Sequence, residues 1–157
     1  MKSIAVLSDT HGNLSAIEAV FSILQSCDMV FHLGDCFTDM RGFKSALGDK
    51  LVCVKGNCDL YPESKYKIIE LEGKRLLITH GDAFGVKSGL TRLSFFAKEQ
   101  GVDAVFFGHT HMACCIVEDG VLYVNPGALA RTCVDKSFAY VNIVNGKILC
   151  NHNRNVF

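Results

Sequence analysis

Short apolar runs recur along the chain, and most of them stop at a glycine or a polar residue. Residues 3–8 form the first, a β-rich run consistent with a buried strand. A helix follows: Leu14, Ile17, Val20, Phe21 and Leu24 recur on one face, and Ser15-Ala16-Ile17-Glu18 has capping-box spacing. Residues 28–33 predict a second strand, 39–47 a short helix and 51–55 a third strand ending at Gly56-Asn57. Strands at 66–71 and 74–79 flank Glu72-Gly73, a hairpin signal. A second long helix is predicted from about 88 to 100, with Leu90, Leu93, Phe96 and Ala97 inward and Gly101 placed to stop it. Residues 103–107 are strand again. The remainder reads as β, near 113–118, 121–125, 138–144 and 147–150, turned at Asp119-Gly120 and Asn145-Gly146.

The first half therefore alternates β and α, and the last third is hairpins. Two packed sheets with helices outside, an α/β sandwich, satisfy that order economically. No repeat, low-complexity tract or linker interrupts it, so residues 1–157 read as one domain. A hydrophobic content of 49%, with 11 Phe, fits a packed globular protein. Lys plus Arg and Asp plus Glu balance at 16 each, which leaves no basic excess for nucleic acid and no polybasic run for a membrane. The apolar run Ile4–Leu7 is too short for a signal peptide, and no stretch is long enough to span a bilayer. The eight cysteines form no CxxC pair, and Cys53 and Cys150 read as small core residues. The expectation is a cytoplasmic protein with free thiols.

Position carries the chemistry. Successive strand runs end in Asp9-Thr10-His11, Gly34-Asp35, Gly56-Asn57-Cys58-Asp59, His80-Gly81-Asp82 and Gly108-His109-Thr110-His111. Ligands of α/β sheets gather beyond the carboxyl ends of strands. Each block alone has an ordinary reading as a turn or a hydrogen-bonded histidine. Jointly, four of the six histidines sit with Asp9, Asp35 and Asn57 where strands stop. Residues i and i+2 of extended chain face one side, so His109 and His111 can converge. Imidazole, carboxylate and amide oxygen together suit Mn, Fe, Zn or Ni better than Ca or Mg.

In order and spacing these blocks resemble the calcineurin-like metallophosphoesterases, whose signature runs D-x-H, G-D, G-N-H-D/E, H and G-H-x-H. The small size and the G-N-C-D block are similar to the compact single-domain phosphodiesterase subfamily, whose fold the retromer cargo-sorting subunit shares. The resemblance implies a four-layer αββα sandwich of two mixed β-sheets flanked by helices. It implies two divalent metal ions, Mn²⁺ first, with Ni²⁺, Zn²⁺ or Fe as alternatives. Asp9, His11 and His111 would hold one ion and Asn57, His80 and His109 the other, with Asp35 bridging. A bridging water or hydroxide would attack phosphorus, which places Asp35, Asn57, His109 and Cys58 in the catalytic set. Two divalent cations outweigh the carboxylates and the hydroxide, leaving positive charge for a small phosphoester substrate.

Cys58 stands where the wider family has a histidine thought to protonate the leaving oxygen. A thiol of pKa about 8.5 is a weaker donor to an alkoxide than an imidazolium of about 6.5. That favours esters with good leaving groups; the alternative is that Cys58 packs beside the site. No C-x5-R phosphate loop accompanies it. Asn13, Asp59 and Asp82 are expected to orient ligands or loops, and Arg131 to touch substrate. Asn125-Pro126-Gly127 reads as a turn, His32 as a core or supporting histidine, and His152 as part of a solvated tail. Two other functions stay open: an interaction scaffold on this fold, and a phosphomonoesterase. Exposed strand edges could support a homodimer.

Overall fold

The computed structural model describes residues 1–154 and 157. Ten strands form two five-stranded mixed sheets. The first has the order β10-β9-β1-β2-β3, built from β1 (Lys2–Leu7), β2 (Met29–His32), β3 (Leu51–Cys53), β9 (Phe138–Val144) and β10 (Lys147–Asn153). The second has the order β4-β5-β6-β8-β7, from β4 (Tyr66–Leu71), β5 (Lys74–Thr79), β6 (Ala104–Phe107), β7 (Cys114–Glu118) and β8 (Val121–Asn125). Parallel pairing runs through β1-β2-β3 to one edge of the first sheet, whose other side is the antiparallel β9-β10 hairpin; in the second sheet the parallel strands β5-β6-β8 are central, with antiparallel β4 and β7 at the edges.

Strand alternation explains why the central runs are apolar throughout. Ile4 and Val6 of β1 face the second sheet, and Ala5 and Leu7 face the helices. Ala104 and Phe106 of β6 meet them between the sheets, where Phe106 packs edge-on against Phe31 at 5.9 Å, and Val105 and Phe107 face outward. A strand covered on both sides has no face to give to water. Helix α1 (Leu14–Ser26) and the short α2 (Lys44–Leu47) cover the first sheet through Ile17, Val20, Leu24 and Leu47. Helix α3 (Thr91–Gln100) covers the second through Leu93 and Ala97. The result is the four-layer αββα sandwich.

The three hairpin turns behave as their sequences require. Glu72-Gly73, Asp119-Gly120 and Asn145-Gly146 all hold positive φ at both residues, the two-residue turn that matches strand twist. Gly101 ends α3 in the left-handed conformation at φ 60°, ψ 44°.

Several expectations need correction. Asn13, not Ser15, is the N-cap of α1, and no side chain caps it, because Asn13 is already bonded elsewhere. Leu14 faces solvent at 46% exposure, and Ala16 takes the inward place. The 39–47 helix is mostly 3₁₀, over Phe37–Phe43, and only four residues of α-helix follow. Cys53 and Cys150 lie half-buried at the margin of the core. β10 runs on to Asn153, so His152 is a strand residue whose Nε2 meets the Asn125 carbonyl at 2.7 Å, not a solvated one. No helix among the described residues is long and apolar enough to cross a membrane.

Truncating the inter-sheet contact tests this packing. Phe106→Ala should cost about 3–5 kcal/mol in urea unfolding. Leu60→Ala, at a site 93% exposed, should stay within about 0.5 kcal/mol.

Candidate metal centre

The carboxyl ends of β1 and β2 in one sheet and of β5 and β6 in the other point to the same end of the sandwich. Backbone bonds hold them there. Asp9 N–H donates to Gly34 O at 3.0 Å, and Gly108 N–H to His80 O at 3.0 Å. Two glycines let these loops approach. A β-carbon on Gly108 would collide with the Ser8 side chain and the Asp9 carboxylate; one on Gly56 would collide with the Asp35 carboxylate. Asp9, His11, Asp35, His109 and His111 all adopt positive φ, from 44° to 68°. Left-handed backbone at non-glycine residues is costly, and its concentration here marks a functional site.

Two groups of side chains result. In the first, His111 Nε2 lies 3.0 Å from Asp9 Oδ1 and His11 Nε2 lies 3.8 Å from the same oxygen. In the second, His80 Nε2 lies 3.4 Å from Asp35 Oδ1 and 3.0 Å from His109 Nδ1. His11 Nε2 also stands 3.7 Å from Asp35 Oδ2, which links the groups. Within each set, Asp9/His11/His111 and Asp35/His80/His109, one donor atom per residue falls within 4.8 Å of the others. His11 Nε2 is buried and has no hydrogen-bond partner. An orphaned imidazole nitrogen aimed between two carboxylates fits a cation as its missing partner.

Electrostatics keeps the carboxylates ionised. Burial would raise Asp9, but the His111 hydrogen bond, the charge of His80 and the Ser8 hydroxyl lower it overall. Burial would also raise Asp35, but its hydrogen bonds with His80 and the Cys58 N–H hold it well below the usual carboxylate range. Burial works against His80, but its bond to Asp35 and the Asp9 charge raise it. The bond to Asp9 raises His111, and burial with the charge of His80 lowers His109. His80 Nδ1–H donates to Leu33 O at 2.8 Å, which leaves Nε2 to face the site.

The other expected residues divide. Asn57 is exposed, and its amide nitrogen turns toward Cys58 Sγ at 3.4 Å. Cys58 donates its N–H to Asp35 Oδ1 at 2.9 Å, and its Sγ lies within 4.8 Å of donor atoms of His11 and Asp35. Burial, followed by Asp35, pushes that thiol up to about 11. Asp59 ties two loops together, accepting from Phe37 N–H at 3.1 Å and Gly56 N–H at 2.9 Å. Asn13 Nδ2–H donates to the Leu129 carbonyl at 2.6 Å, which ties the start of α1 to the 129 loop. Asp82 pairs with Lys65 at 2.6 Å. Arg131 is exposed on the loop that brings Cys133 Sγ to 3.8 Å from His111 Nδ1.

Of the buried support layer, sequence reasoning anticipated His32 and missed the rest. Ser8 Oγ–H donates to Asp9 Oδ2 at 2.5 Å, and His109 N–H reaches the same oxygen at 3.1 Å. Thr10 Oγ1–H donates to Asp39 Oδ2 at 2.7 Å, and Asp39 also accepts from Gly12 N–H at 2.8 Å. His32, fully buried, accepts from Gly34 N–H through Nδ1 at 3.2 Å and meets Thr10 Oγ1 through Nε2 at 3.1 Å. Asn125 Nδ2 donates to Gly108 O and Thr110 Oγ1, both at 3.0 Å. The polar residues flanking each motif were the available signal.

Several known proteins are similar to this chain. The family model of the calcineurin-like phosphoesterase superfamily domain matches residues 1–146. The probable metallophosphoesterase YsnB of Bacillus subtilis is 32% identical over 88% of this chain and 81% of its own. The phosphodiesterase YfcE of Escherichia coli is 26% identical over 83% and 80%. Among solved structures, a conserved Streptococcus pneumoniae protein described as a predicted phosphoesterase superposes with a TM-score of 0.82 at 27% identity, over 96% of this chain and 88% of that one. Vps29 of Entamoeba histolytica superposes with a TM-score of 0.76 over 96% and 98%; at 19% identity that likeness shows the fold alone.

Burial pulls His32 down to about 4, so it is neutral in the fold. Between about 4 and 6.5 the unfolded chain takes up a proton that folded His32 refuses, so stability is full above 6.5 and falls as pH drops toward 4. In urea unfolding, the wild type should lose more stability between pH 7 and pH 5 than His32→Asn does. Equal losses would refute the assignment.

Proposed function

Because this chain belongs to the calcineurin-like phosphoesterase superfamily, we propose that it is a single-domain, cytoplasmic, metal-dependent phosphodiesterase. Asp9, His11 and His111 would hold one divalent cation, Asn57, His80 and His109 a second, and Asp35 would bridge them. The observation that carries this reading is the pair of convergent donor sets linked by the orphaned His11 Nε2, which belongs to the first and stands 3.7 Å from Asp35 Oδ2 of the second. The mixed imidazole and carboxylate donor set suits Mn²⁺, Ni²⁺, Zn²⁺ or Fe better than Ca²⁺ or Mg²⁺, and the family resemblance puts Mn²⁺ first. When bound, such a pair supplies Lewis acidity that activates a water and clamps a phosphoryl oxygen.

The chain's own residues prepare the site. Ser8 and the His109 N–H occupy Asp9 Oδ2, which leaves Oδ1 toward His11 and His111. The Leu33 carbonyl fixes the His80 tautomer. The Cys58 N–H orients Asp35, so the bridging carboxylate is aimed by the loop that carries Asn57. A protonated Cys58 thiol beside Asp35 is a weak acid for a departing alkoxide, and it lacks the charge of an imidazolium. Esters whose leaving groups need no proton, such as aryl diesters, are the substrates this arrangement suits.

A scaffold on the same fold has no need of seven potential ligands or of backbone strain at five of them. The discriminating experiment is hydrolysis of bis-p-nitrophenyl phosphate with and without Mn²⁺, together with metal content. Two metal ions per chain and Mn²⁺-dependent turnover are expected, with Asp35→Asn roughly 100-fold or more slower. Bound metal without turnover on diesters or monoesters would favour the scaffold.

Cys58→His should raise turnover on alkyl phosphodiesters more than on aryl ones. Equal effects on both would remove leaving-group protonation from the account of this position.

A further inference from the structure

A cavity of about 390 Å³ opens between the segment following Asp35 and the segment following Cys58. Phe37, buried Met40 and Tyr61 contribute apolar lining. Arg41, Lys44 and Lys67 also line it, against a single acid, Glu63. Glu63 is engaged with Lys67 at 3.1 Å, and the Arg41 guanidinium lies 4.1 Å from the centre of the Tyr61 ring, which steadies that wall. The lining thus carries a surplus of cations on a chain whose total charges cancel.

The cavity is coupled to the ligand cluster. Phe37 follows Asp35 by two residues, which limits their Cα separation to about 7 Å. Its N–H is held by Asp59, whose other oxygen holds the N–H of Gly56, the residue lying against the Asp35 carboxylate. Tyr61 follows Cys58 by three residues, on the loop whose Cys58 N–H orients Asp35. The two loops that set the bridging carboxylate therefore also form the walls of the cavity.

We propose that this cavity is the subsite for a planar aromatic substituent that carries its own negative charge, so that the preferred substrates are phosphodiesters of aromatic, anionic groups, the chemistry of a nucleotide. The inference rests on the metal-centre reading for the scissile phosphate and adds the recognition of what is attached to it. Phe37 and Tyr61 supply apolar contact for a ring. Lys44 and Arg41 supply charge for a carboxylate or a second phosphate, which a neutral ring would leave unused. With no net charge to steer anions over a distance, selection for them has to be made by such a local group of cations.

Calorimetric titration of the Mn²⁺-loaded protein tests this without relying on turnover. Three probes share one phosphonate: methylphosphonate, phenylphosphonate and 4-phosphonobenzoate. The phenyl group should tighten binding about tenfold over methyl, and the added carboxylate should give a further few-fold. Tyr61→Ala, at a half-exposed position, should erase the gain from the ring. Lys44→Glu should erase the gain from the carboxylate and keep that from the ring. Methylphosphonate should bind both variants as it binds the wild type. Equal affinity of the three probes for the wild type, or an equal loss for all three in the variants, would overturn the subsite. If methylphosphonate fails to bind but 4-phosphonobenzoate binds in a Tyr61- and Lys44-dependent way, the subsite stands and the metal-centre reading falls. If none binds, both fall.

Discussion

Gly108 lies against Ser8 and Asp9 at a distance that no larger residue allows, and the site depends on that approach. β1 and β6 belong to different sheets, so this is where the two halves of the sandwich touch at their functional end. Once the backbone of residue 108 sits on Asp9, the His109 N–H falls on Asp9 Oδ2 and the His111 ring falls on Oδ1. The same closure sets His80, from the second sheet, on the Leu33 carbonyl of the first. The potential ligands are thus shared between sheets, and their spacing is set by how closely the sheets pack. Phe31 against Phe106, deeper in the same interface, fixes that separation with apolar contact that the polar end could not supply by itself.

Such an arrangement carries a conformational cost. Five potential ligands hold left-handed backbone, of order 1–3 kcal/mol each. Two carboxylates are buried beside four histidines. The surrounding hydrogen bonds offset part of this: Asp9 has the Ser8 hydroxyl, the His109 N–H and the His111 ring, and Asp35 has the Cys58 N–H and the His80 ring. His11 Nε2 is left with no partner at all. The strain is therefore uneven, and it is greatest at the nitrogen that faces both carboxylates.

Much of this was legible in the sequence, because the strongest signals are local. Apolar runs closed by Gly-Asp, Gly-Asn or Gly-His announced strands with polar ends, and the Asp-Gly and Asn-Gly turns fell where expected. The failures came where tertiary partners overrode local preference. Asn13 gives its amide N–H to Leu129, and its oxygen, the atom that would cap α1, accepts from Ser15 Oγ, so the capping-box spacing at Ser15 goes unused. Phe37–Phe43 winds as 3₁₀-helix, starting from a left-handed Cys36, because the chain must leave Asp35 sharply and bring Asp39 back to Thr10 and Gly12. Ser8, Thr10 and Asp39 were passed over because a hydroxyl or carboxylate beside a motif has no periodicity to reveal it. Only the fold shows that each one holds a neighbour in place.

The last third of the chain raises the same question at larger scale, since none of the potential metal ligands lies beyond His111. Its strands are nevertheless required. β9 pairs along β1, and β8 lies against β6, so the two strands that deliver Asp9 and His109 are each flanked by the C-terminal segment. From the end of β8, Asn125 reaches Gly108 O and Thr110 Oγ1, which fixes the loop whose alternate residues are His109 and His111. Its own carbonyl is then held by His152 from β10, at the edge of the opposite sheet. A line of hydrogen bonds thus runs from an outer strand of one sheet, through the end of β8, to the loop of the other that carries His109 and His111. His152 looked like a solvated tail because it follows the apolar run in a polar stretch. Its place in the fold is to hold in position the residue that holds the ligand loop.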